Sequence, residues 1–503
     1  MPYSPRPMAA YQNLEARFRR LGVLDGVGQV LHWDRAVMMP LGGATARADQ
    51  LAELALLEHD LMTAPDMADL LGQAAADLSA LSRWQRANLE EMQRLWRHAT
   101  ALPGDLVTAL SHASSTCEMI WRDARGRDDF AAVRPALETM VTLVQEKAQA
   151  KAAALNLRPY DALLDAYDPG MRQAEIDGIF GALRGFLPDL IGRVIDRQTA
   201  GPALLPVTGD ITEAAQRALG ERIMAAIGFD ADFGRLDVSH HPFTAGVPDD
   251  VRITTRYQND AFTESLMGVI HETGHALYER GLPADWRWQP VGMARGMTIH
   301  ESQSLLMEMQ ACRSPAFVAF AAPIMRETFK GKGPAWETDN LLRLYHRVER
   351  ALIRVEADEV TYPAHILLRY DLETAIVTGD LAVADLPGAW RDGMRALLGI
   401  EVANDKDGCM QDIHWYGGDF GYFPTYTLGA LAAAQMFQAA CSADAGVMAG
   451  IGRGDFAPLL VWLRTHVHGK GSSLGTNELL EEATGARLGV GAFKAHIDAR
   501  YVS

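Results

Sequence analysis

The 503-residue chain has few cysteines and no long apolar run. Four cysteines are too few for a disulfide framework at this length, and no two of them have the spacing of a metal-binding pair. They are expected to be buried thiols in a reducing compartment. No window of about 18 residues is free of charged or polar breaks, so no membrane span is expected. The N-terminal segment also has no apolar stretch followed by a cleavage signature, and these patterns together predict a cytoplasmic location.

Basic residues are also in deficit. The chain has 47 Lys and Arg against 64 Asp and Glu, which gives a formal net charge of −17. A nucleic-acid-binding protein needs basic patches that displace counterions from phosphates, and anionic membrane surfaces attract basic segments. The charge balance therefore disfavours both kinds of partner. Apolar residues make up 48% of the chain, which is enough to bury a core, so disorder is not expected.

Helical periodicity dominates what is present. Residues 51–61, 83–98 and 131–155 repeat apolar side chains at the spacing of an amphipathic helix. We found no fixed-period repeat, low-complexity tract or long linker in the sequence. The pattern predicts a mainly α protein with a single domain over residues 1–503, in which a helical N-terminal part, about residues 1–200, could act as a flap.

One segment departs from the helical pattern. Residues 250–257 alternate in polarity and are rich in β-branched side chains, which predicts a short strand. A second strand is expected to pair with it from within residues 236–243. The free edge of such a small sheet could hydrogen-bond the backbone of an extended peptide without reading its side chains.

A metal-binding motif lies in the middle of the chain. Residues 271–275 read His-Glu-Thr-Gly-His within a predicted helix over 261–280. Two histidines four residues apart lie on one helix face and can bind one ion, whereas Glu272, about 100° further round, would reach a water molecule instead. Asp260 is the expected N-cap of this helix, and Gly281 is expected to end it in the left-handed conformation. The pattern is typical of zinc peptidases with a carboxylate general base.

Two histidines leave such a site incomplete, because a catalytic zinc ion has three protein ligands and an open position. The extended motif with a third histidine is absent, since Gly281 stands at that position. The candidates for the third ligand are downstream carboxylates, namely Glu279, Asp285, Glu301 and Glu308. Glu279 lies on the metal helix itself and is not expected to reach the same ion. Glu301 opens a second predicted helix, 299–313, but Thr298-x-x-Glu301 also fits a capping box, and spacing alone leaves both roles open.

Several further elements, taken with this motif, resemble those of the M32 metallocarboxypeptidases, the carboxypeptidase Taq family. The zinc motif is followed by His300-Glu301-Ser302-Gln303. The other matching elements are His241-Pro242-Phe243, Asp250-Val251-Arg252-Ile253-Thr254, Ile353-Arg354-Val355-Glu356-Ala357-Asp358 and Gly408-Cys409-Met410-Gln411-Asp412-Ile413-His414-Trp415. The likeness covers most of the chain, and no motif position departs from the family pattern.

The resemblance implies a mainly α, elongated fold with a deep substrate groove, usually as a homodimer, to which the predicted strands add a small sheet beside the metal helix. It implies one divalent ion, zinc or sometimes cobalt, held by His271, His275 and Glu301. The implied activity is the release of single residues from peptide C-termini with broad specificity. Peptides or unfolded C-terminal tails are therefore the expected partners.

Recognition of a free α-carboxylate is best served by arginine, whose planar fork pairs with it through two hydrogen bonds. The resemblance makes Arg354 the candidate, although a predicted helix over 341–362 also allows a surface salt-bridge ladder with Arg350. Gln411 and Arg252 are further candidate substrate-binding residues. Asp250 and Arg252 could instead pair only with each other and fix a local turn.

Stabilisation of the oxyanion formed during hydrolysis needs hydrogen-bond donors besides the metal. His414 and Tyr426 are the candidates, and both flank a loop rich in glycine and aromatic residues that could close over a substrate. Asp412 is predicted to orient a histidine, and His300 is predicted to support other side chains of the site.

Two alternatives remain open. An endo-acting or dipeptide-releasing metallopeptidase on a similar helical fold would share the zinc chemistry, and undiminished cleavage of a C-terminally amidated peptide would favour it. A non-enzymatic helical scaffold with a decayed site is disfavoured because Glu272 and the predicted ligands are intact.

Overall fold

The structure is a computed structural model that describes residues 7–76, 78–259 and 261–503. Across these residues the chain is mainly helical with one three-stranded sheet, which confirms the predicted fold class. The helices before the sheet are α1 (Pro7–Val37), α2 (Ala44–Met62), α3 (Met67–Ala75), α4 (Arg83–Thr100), α5 (Gly104–Gly126), α6 (Phe130–Leu155), α7 (Pro159–Leu164), α8 (Gln173–Arg184), α9 (Leu187–Ala200) and α10 (Glu213–Ile227). All three segments predicted as amphipathic helices fall in this group, within α2, α4 and α6.

The remaining helices follow the sheet. They are α11 (Phe262–Gly281), α12 (Gly296–Leu305), α13 (Pro315–Thr328), α14 (Thr338–Tyr345), α15 (Tyr362–Thr378), α16 (Leu386–Leu398), α17 (His414–Gly417), α18 (Pro424–Ala443), α19 (Gly446–Ile451), α20 (Ala457–His466), α21 (Thr476–Thr484) and α22 (Gly491–Ile497). Among the helices of the described residues, none is both long enough and apolar enough to cross a membrane. The four cysteines are free thiols, and three of them are buried.

The chain folds into two compact units, each assembled from three separate stretches. The first unit consists of Met1–Ala99, Leu204–His346 and Ala432–Leu488. The second consists of Thr100–Ala203, Arg347–Leu431 and Gly489–Ser503. Residues 1–200 are thus divided between the two units, and a flap formed by this part of the chain stays a prediction.

The sheet lies in the first unit. Its strands are β1 (Gly234–Val238), β2 (Phe243–Val247) and β3 (Asp250–Thr255), and β3 is central, parallel to β1 and antiparallel to β2. The strand predicted at 250–257 is therefore confirmed two residues shorter, and β1 is the predicted partner. Strand β2 was not predicted, because Gly246 weakens the strand pattern of its sequence. Glycine is required at this position, since its φ is +113 and a Cβ would lie 2.0 Å from the carbonyl oxygen of Asp250.

The metal helix α11 packs against this sheet. Val251 and Ile253 of β3 join Val269 and Ala276 of α11 in one buried cluster, so the sheet and the helix form a common core. The expected left-handed cap at Gly281 is wrong, because the helix runs through this residue and Leu282, in extended conformation, follows it. Gly281 is needed for space instead, since a Cβ there would lie 2.3 Å from Nδ1 of His468. Asp260, the expected N-cap, lies outside the described residues.

The helix predicted over 341–362 is also wrong. Helix α14 ends at Tyr345, and only one 3-10 turn, Arg354–Glu356, interrupts the irregular backbone before α15. Side chains bind several of the backbone N–H groups that a helix would pair internally, and Gln411, which accepts from the N–H of Arg354, comes from outside the segment. The carboxylate of Asp358 accepts hydrogen bonds from three backbone N–H groups, those of Glu349, Val360 and Thr361.

Candidate active site

The predicted metal ligands converge in the first unit. His271 and His275 project from one face of α11, and Glu301 approaches them from α12. One ligand atom from each residue lies within 4.8 Å of the others. Oε2 of Glu301 is 3.7 Å from Nε2 of His271 and 3.4 Å from Nε2 of His275. Two imidazoles and a carboxylate in this arrangement form a donor set suited to zinc.

The capping-box interpretation of Glu301 is wrong. Helix α12 begins at Gly296 after Arg295, so Thr298 is already inside the first turn and Glu301 lies in the second. The side chain of Glu301 is therefore free of any role at the helix end and turns towards the two histidines.

The electrostatics of the three side chains favour a cation between them. Burial lowers the pKa of His271, but the carboxylates of Glu301 and Glu308 outweigh burial and raise it to about 10. For Glu301 burial acts in the opposite direction and raises the pKa, but the neighbouring histidines outweigh burial and lower this pKa to about 2. The cluster thus holds a positive charge tightly, and a bound metal ion would replace the proton of His271. The residues present fit a divalent ion.

A carboxylate also orients His271. Its Nδ1 lies 3.0 Å from Oε2 of Glu308, which directs Nε2 towards Glu301. Glu308 belongs to a π-helical turn, Leu306–Ala311, that continues α12, and its other oxygen accepts a hydrogen bond from Arg313 at 2.6 Å. Glu308 was a candidate for the third ligand. Glu308 follows Glu301 by seven residues, which is about two helical turns. This spacing could have indicated from the sequence that both side chains lie on one helix face.

His300, predicted to orient other groups, lies beside the second histidine. Its Nδ1 is 2.7 Å from Nδ1 of His275, and its Nε2 is 2.9 Å from Oε1 of Glu279. Glu279, another candidate for the third ligand, therefore faces His300 and not the position between the ligand atoms.

Glu272 directly follows His271 on α11 and is buried, with 7% of its surface exposed. The hydroxyl of Thr244, on β2, donates a 2.6 Å hydrogen bond to Oε2 of Glu272. The strand that sequence reasoning missed thus fixes the carboxylate of the predicted general base.

Glycine sets the distance between α11 and α12. A Cβ on Gly274 would lie 2.5 Å from the carbonyl oxygen of Gln303 and 2.6 Å from Cα of Ser304. The two helices therefore touch backbone to backbone one residue before His275 and two residues after Glu301, and this contact brings the ligands together.

Arg252 lies on β3 in the same unit. Its guanidinium pairs with Asp250 through hydrogen bonds of 3.0 and 2.7 Å and lies 4.3 Å from the ring centroid of Trp33. The local pairing considered from the sequence is therefore present. A contact of Arg252 with substrate stays a prediction.

A second cluster of predicted residues lies in the second unit, around Arg354. This side chain is buried, so the surface ladder with Arg350 is wrong. Its Nε and Nη2 donate to Oδ1 of Asp412 at 3.1 and 2.8 Å, and its Nη1 donates to the hydroxyl of Tyr362 at 2.8 Å. Asp412 therefore orients Arg354, whereas the sequence suggested a histidine as its partner.

Arg369, which sequence reasoning missed, completes this cluster. It is fully buried and donates from Nε to Oδ2 of Asp412 at 2.6 Å. Oε1 of Gln411 accepts from the backbone N–H of Arg354 and from Nη2 of Arg369, both at 2.8 Å. Burial raises the pKa of Asp412, but the two guanidiniums outweigh it and hold this pKa far below its usual range. Two guanidiniums share one carboxylate here, so the cluster carries excess positive charge.

The two predicted oxyanion donors adjoin this cluster. Nε2 of His414 is 3.4 Å from the hydroxyl of Tyr426, and the guanidinium carbon of Arg354 lies 5.1 Å from the ring centroid of Tyr426. Burial, helped by the charge of Arg354, lowers the pKa of His414 to about 4, so its imidazole is neutral at pH 7. Its Nδ1 is buried without a hydrogen-bond partner among the described residues.

A buried carboxylate holds the loop that follows His414. Glu373 of α15 accepts hydrogen bonds from Nε1 of Trp415 at 2.7 Å, from the hydroxyl of Tyr160 at 2.7 Å and from the backbone N–H of Gly421 at 2.8 Å. Gly421 has φ +92, a conformation that favours glycine. Hydrogen bonds to Glu373 therefore fix the segment between Trp415 and Gly421 to α15 at both of its ends.

The structure thus assembles the predicted site residues in two clusters, one in each unit. The first cluster, with a His₂Glu donor set and a buried glutamate on the metal helix, defines a helical metallopeptidase of the H-E-x-x-H type.

Comparison with known proteins specifies the class. The family model described as Carboxypeptidase Taq (M32) metallopeptidase matches residues 13–501. Thermostable carboxypeptidase 1 of Thermus thermophilus is 39% identical, over 99% of this chain and 99% of its own. The structure of metallocarboxypeptidase 1 of Trypanosoma cruzi superposes with a TM-score of 0.97 at 40% identity and covers 99% of this chain and 100% of that one. The M32 carboxypeptidase of Deinococcus radiodurans gives a TM-score of 0.92 at 34% identity, with 98% of each chain covered.

The chain belongs to the carboxypeptidase Taq (M32) metallopeptidase family. It is a metallocarboxypeptidase, a hydrolase that acts on peptide C-termini. The resemblance drawn from the motifs is confirmed, and the non-enzymatic scaffold is not supported.

Proposed function

We propose that the protein releases single residues from peptide C-termini with broad specificity, using a divalent ion held by His271, His275 and Glu301 and Glu272 as general base. The convergence of these four side chains at the contact between α11 and α12 carries the proposal. When bound, zinc or cobalt would polarise the scissile carbonyl and lower the pKa of the attacking water.

Glu272 handles the proton in this proposal. Its Oε2 is engaged by Thr244, so Oε1 is the oxygen that we assign to proton transfer. It takes the proton of the attacking water and delivers it to the leaving amine.

Arg354 is the proposed receptor for the terminal carboxylate of the substrate. The excess positive charge of Arg354, Arg369 and Asp412 is buried, and a substrate carboxylate would neutralise it. Gln411, predicted to bind substrate, is hydrogen-bonded to both arginines, and we propose that it holds them in place. His414 and Tyr426 are the proposed donors to the oxyanion.

A time course with a matched pair of peptides tests the proposal. Mass spectrometry of the free-acid peptide should show products that lose one residue at a time from the C-terminus, while the amidated peptide stays intact. Glu272→Gln should lower kcat at least about 100-fold without loss of bound metal. Equal cleavage of the amidated peptide, or release of dipeptides, would favour the alternative of an endo-acting or dipeptide-releasing enzyme.

Arg354→Lys is the companion variant for substrate recognition. Lysine keeps the charge but loses the fork, so the preference for the free acid over the amide should shrink about 10-fold or more. An unchanged preference would place the carboxylate receptor elsewhere. Assembly as a homodimer and a cytoplasmic location complete the proposal; sedimentation of the purified enzyme tests the first.

A further inference from the structure

We propose that Glu279 is a positioning residue for the metal centre, which acts through His300 to fix the tautomer of His275. The inference rests on the proposed role of His275 as a metal ligand. It assigns a task to a carboxylate that the site otherwise leaves unused.

The three side chains form a continuous hydrogen-bonded chain. Nδ1 of His275 lies 2.7 Å from Nδ1 of His300, and Nε2 of His300 lies 2.9 Å from Oε1 of Glu279. The chain is sheltered, because the side chains of His275, His300 and Glu279 are only 11%, 20% and 22% exposed. Glu279 stands one helical turn after His275 on the same face of α11, and His300 of α12 inserts between them.

Hydrogen-bond donors and acceptors along this chain can be assigned from its far end. An ionised carboxylate only accepts, so Glu279 requires a proton on Nε2 of His300. With one proton on its ring, His300 then has its lone pair on Nδ1, and His275 is the donor in the 2.7 Å contact between the two Nδ1 atoms. The proton of His275 is thereby placed on Nδ1, and its Nε2 lone pair faces Glu301, 3.4 Å away, where the ion would bind.

Removal of Glu279 would make the opposite assignment available. His300 could then carry its proton on Nδ1 and donate to His275, which would leave the proton of His275 on Nε2. In that tautomer Nε2 cannot bind a metal. A carboxylate orients His271 in a similar way but without an intervening histidine, since Oε2 of Glu308 lies 3.0 Å from Nδ1 of His271.

The test is a double-mutant cycle read out as zinc affinity, measured by competition with a chelator. Glu279→Ala should weaken zinc binding about 10- to 100-fold. In a His300→Ala background the same substitution should change the affinity little, because Glu279 acts only through His300. Glu279→Gln, whose carbonyl oxygen can accept the same hydrogen bond, should recover most of the loss. Glu264→Ala, an exposed glutamate on the first turn of the same helix, is the matched control and should bind zinc as the unmodified protein does.

The absorption spectrum of the cobalt-loaded protein gives a second readout. Its d–d bands should change in Glu279→Ala and be restored in Glu279→Gln. Unchanged zinc affinity in Glu279→Ala, or an equal loss with and without His300, would overturn the inference. If His275→Ala binds zinc as tightly as the unmodified protein, the proposed ligand set itself is wrong, which separates the two failures. Should Glu279→Ala not fold, Glu279→Met removes the acceptor while filling a similar volume.

Discussion

Replacement of Gly274 by alanine tests how closely α11 and α12 must pack for a metal site to form. The added methyl group would lie 2.5 Å from the carbonyl oxygen of Gln303 and 2.6 Å from Cα of Ser304. Carbon atoms pack at about 3.5–4.0 Å, so the helices would have to separate by about 1 Å. Both clashing atoms belong to the backbone of α12, which cannot move aside as a flexible side chain could.

The expected cost has two parts that can be measured separately. Overpacking of this kind costs about 1–3 kcal/mol of stability, which outweighs the gain of about 1 kcal/mol that alanine brings over glycine in a helix interior. The same displacement carries Glu301 away from His271 and His275, so the zinc affinity should fall as well. Urea unfolding of the metal-free protein gives the first quantity, and chelator competition gives the second.

Gly268, on the same helix, provides the control. A Cβ there would have no neighbour within 4 Å, so Gly268→Ala should stabilise the protein by up to about 1 kcal/mol and leave zinc binding unchanged. If Gly274→Ala behaves like Gly268→Ala in both assays, the close helix contact does not set the ligand geometry and the reasoning fails.

Three further predictions concern single carboxylates. Glu308→Ala should weaken zinc binding about 10- to 100-fold in chelator competition, because His271 loses the acceptor at Nδ1. Asp358→Ala leaves three backbone N–H groups without their acceptor, so it should cost about 2–4 kcal/mol in urea unfolding and raise KM for peptides by loosening the segment that carries Arg354. Burial raises the pKa of Glu373 from 4.5 to about 7, so between these values only the folded state holds the proton; stability should fall by about 3 kcal/mol as pH rises through this window, and unfolding of Glu373→Gln should lack this component.

Local chemistry explains which parts of the metal site could be predicted from the sequence. His271, Glu272 and His275 lie within one helical turn, so their arrangement follows from helix geometry alone. Glu301 needed the family resemblance, because spacing could not exclude a capping role. The supporting residues Thr244, Glu279 and Glu308 could not be assigned, since their partners are set by the packing of β2 and α12 against α11.

The segment around Arg354 shows where prediction from local sequence fails. Its sequence has good helical periodicity, yet the backbone is irregular because Asp358 and Gln411 bind its N–H groups. Tertiary contacts of this kind override local propensity and leave no periodic signal. Arg369 was missed for a related reason, as its burial depends on Asp412, which lies 43 residues later in the chain.

The interleaved path of the chain has a consequence for dissection of the enzyme. A fragment spanning 204–346 would contain every proposed metal ligand, Glu272, Thr244, Glu279 and Glu308. It would lack His468, which packs against Gly281 at the end of the metal helix α11. Nε2 of His468 also lies 3.0 Å from Oε1 of Gln303 on α12. It would also lack Trp33, whose ring covers Arg252 on the central strand. The stretch that carries the metal motif should therefore not keep the metal centre intact when it is excised or moved into another protein. Residues that pack against this stretch come from segments that parts of the second unit separate from it in the sequence.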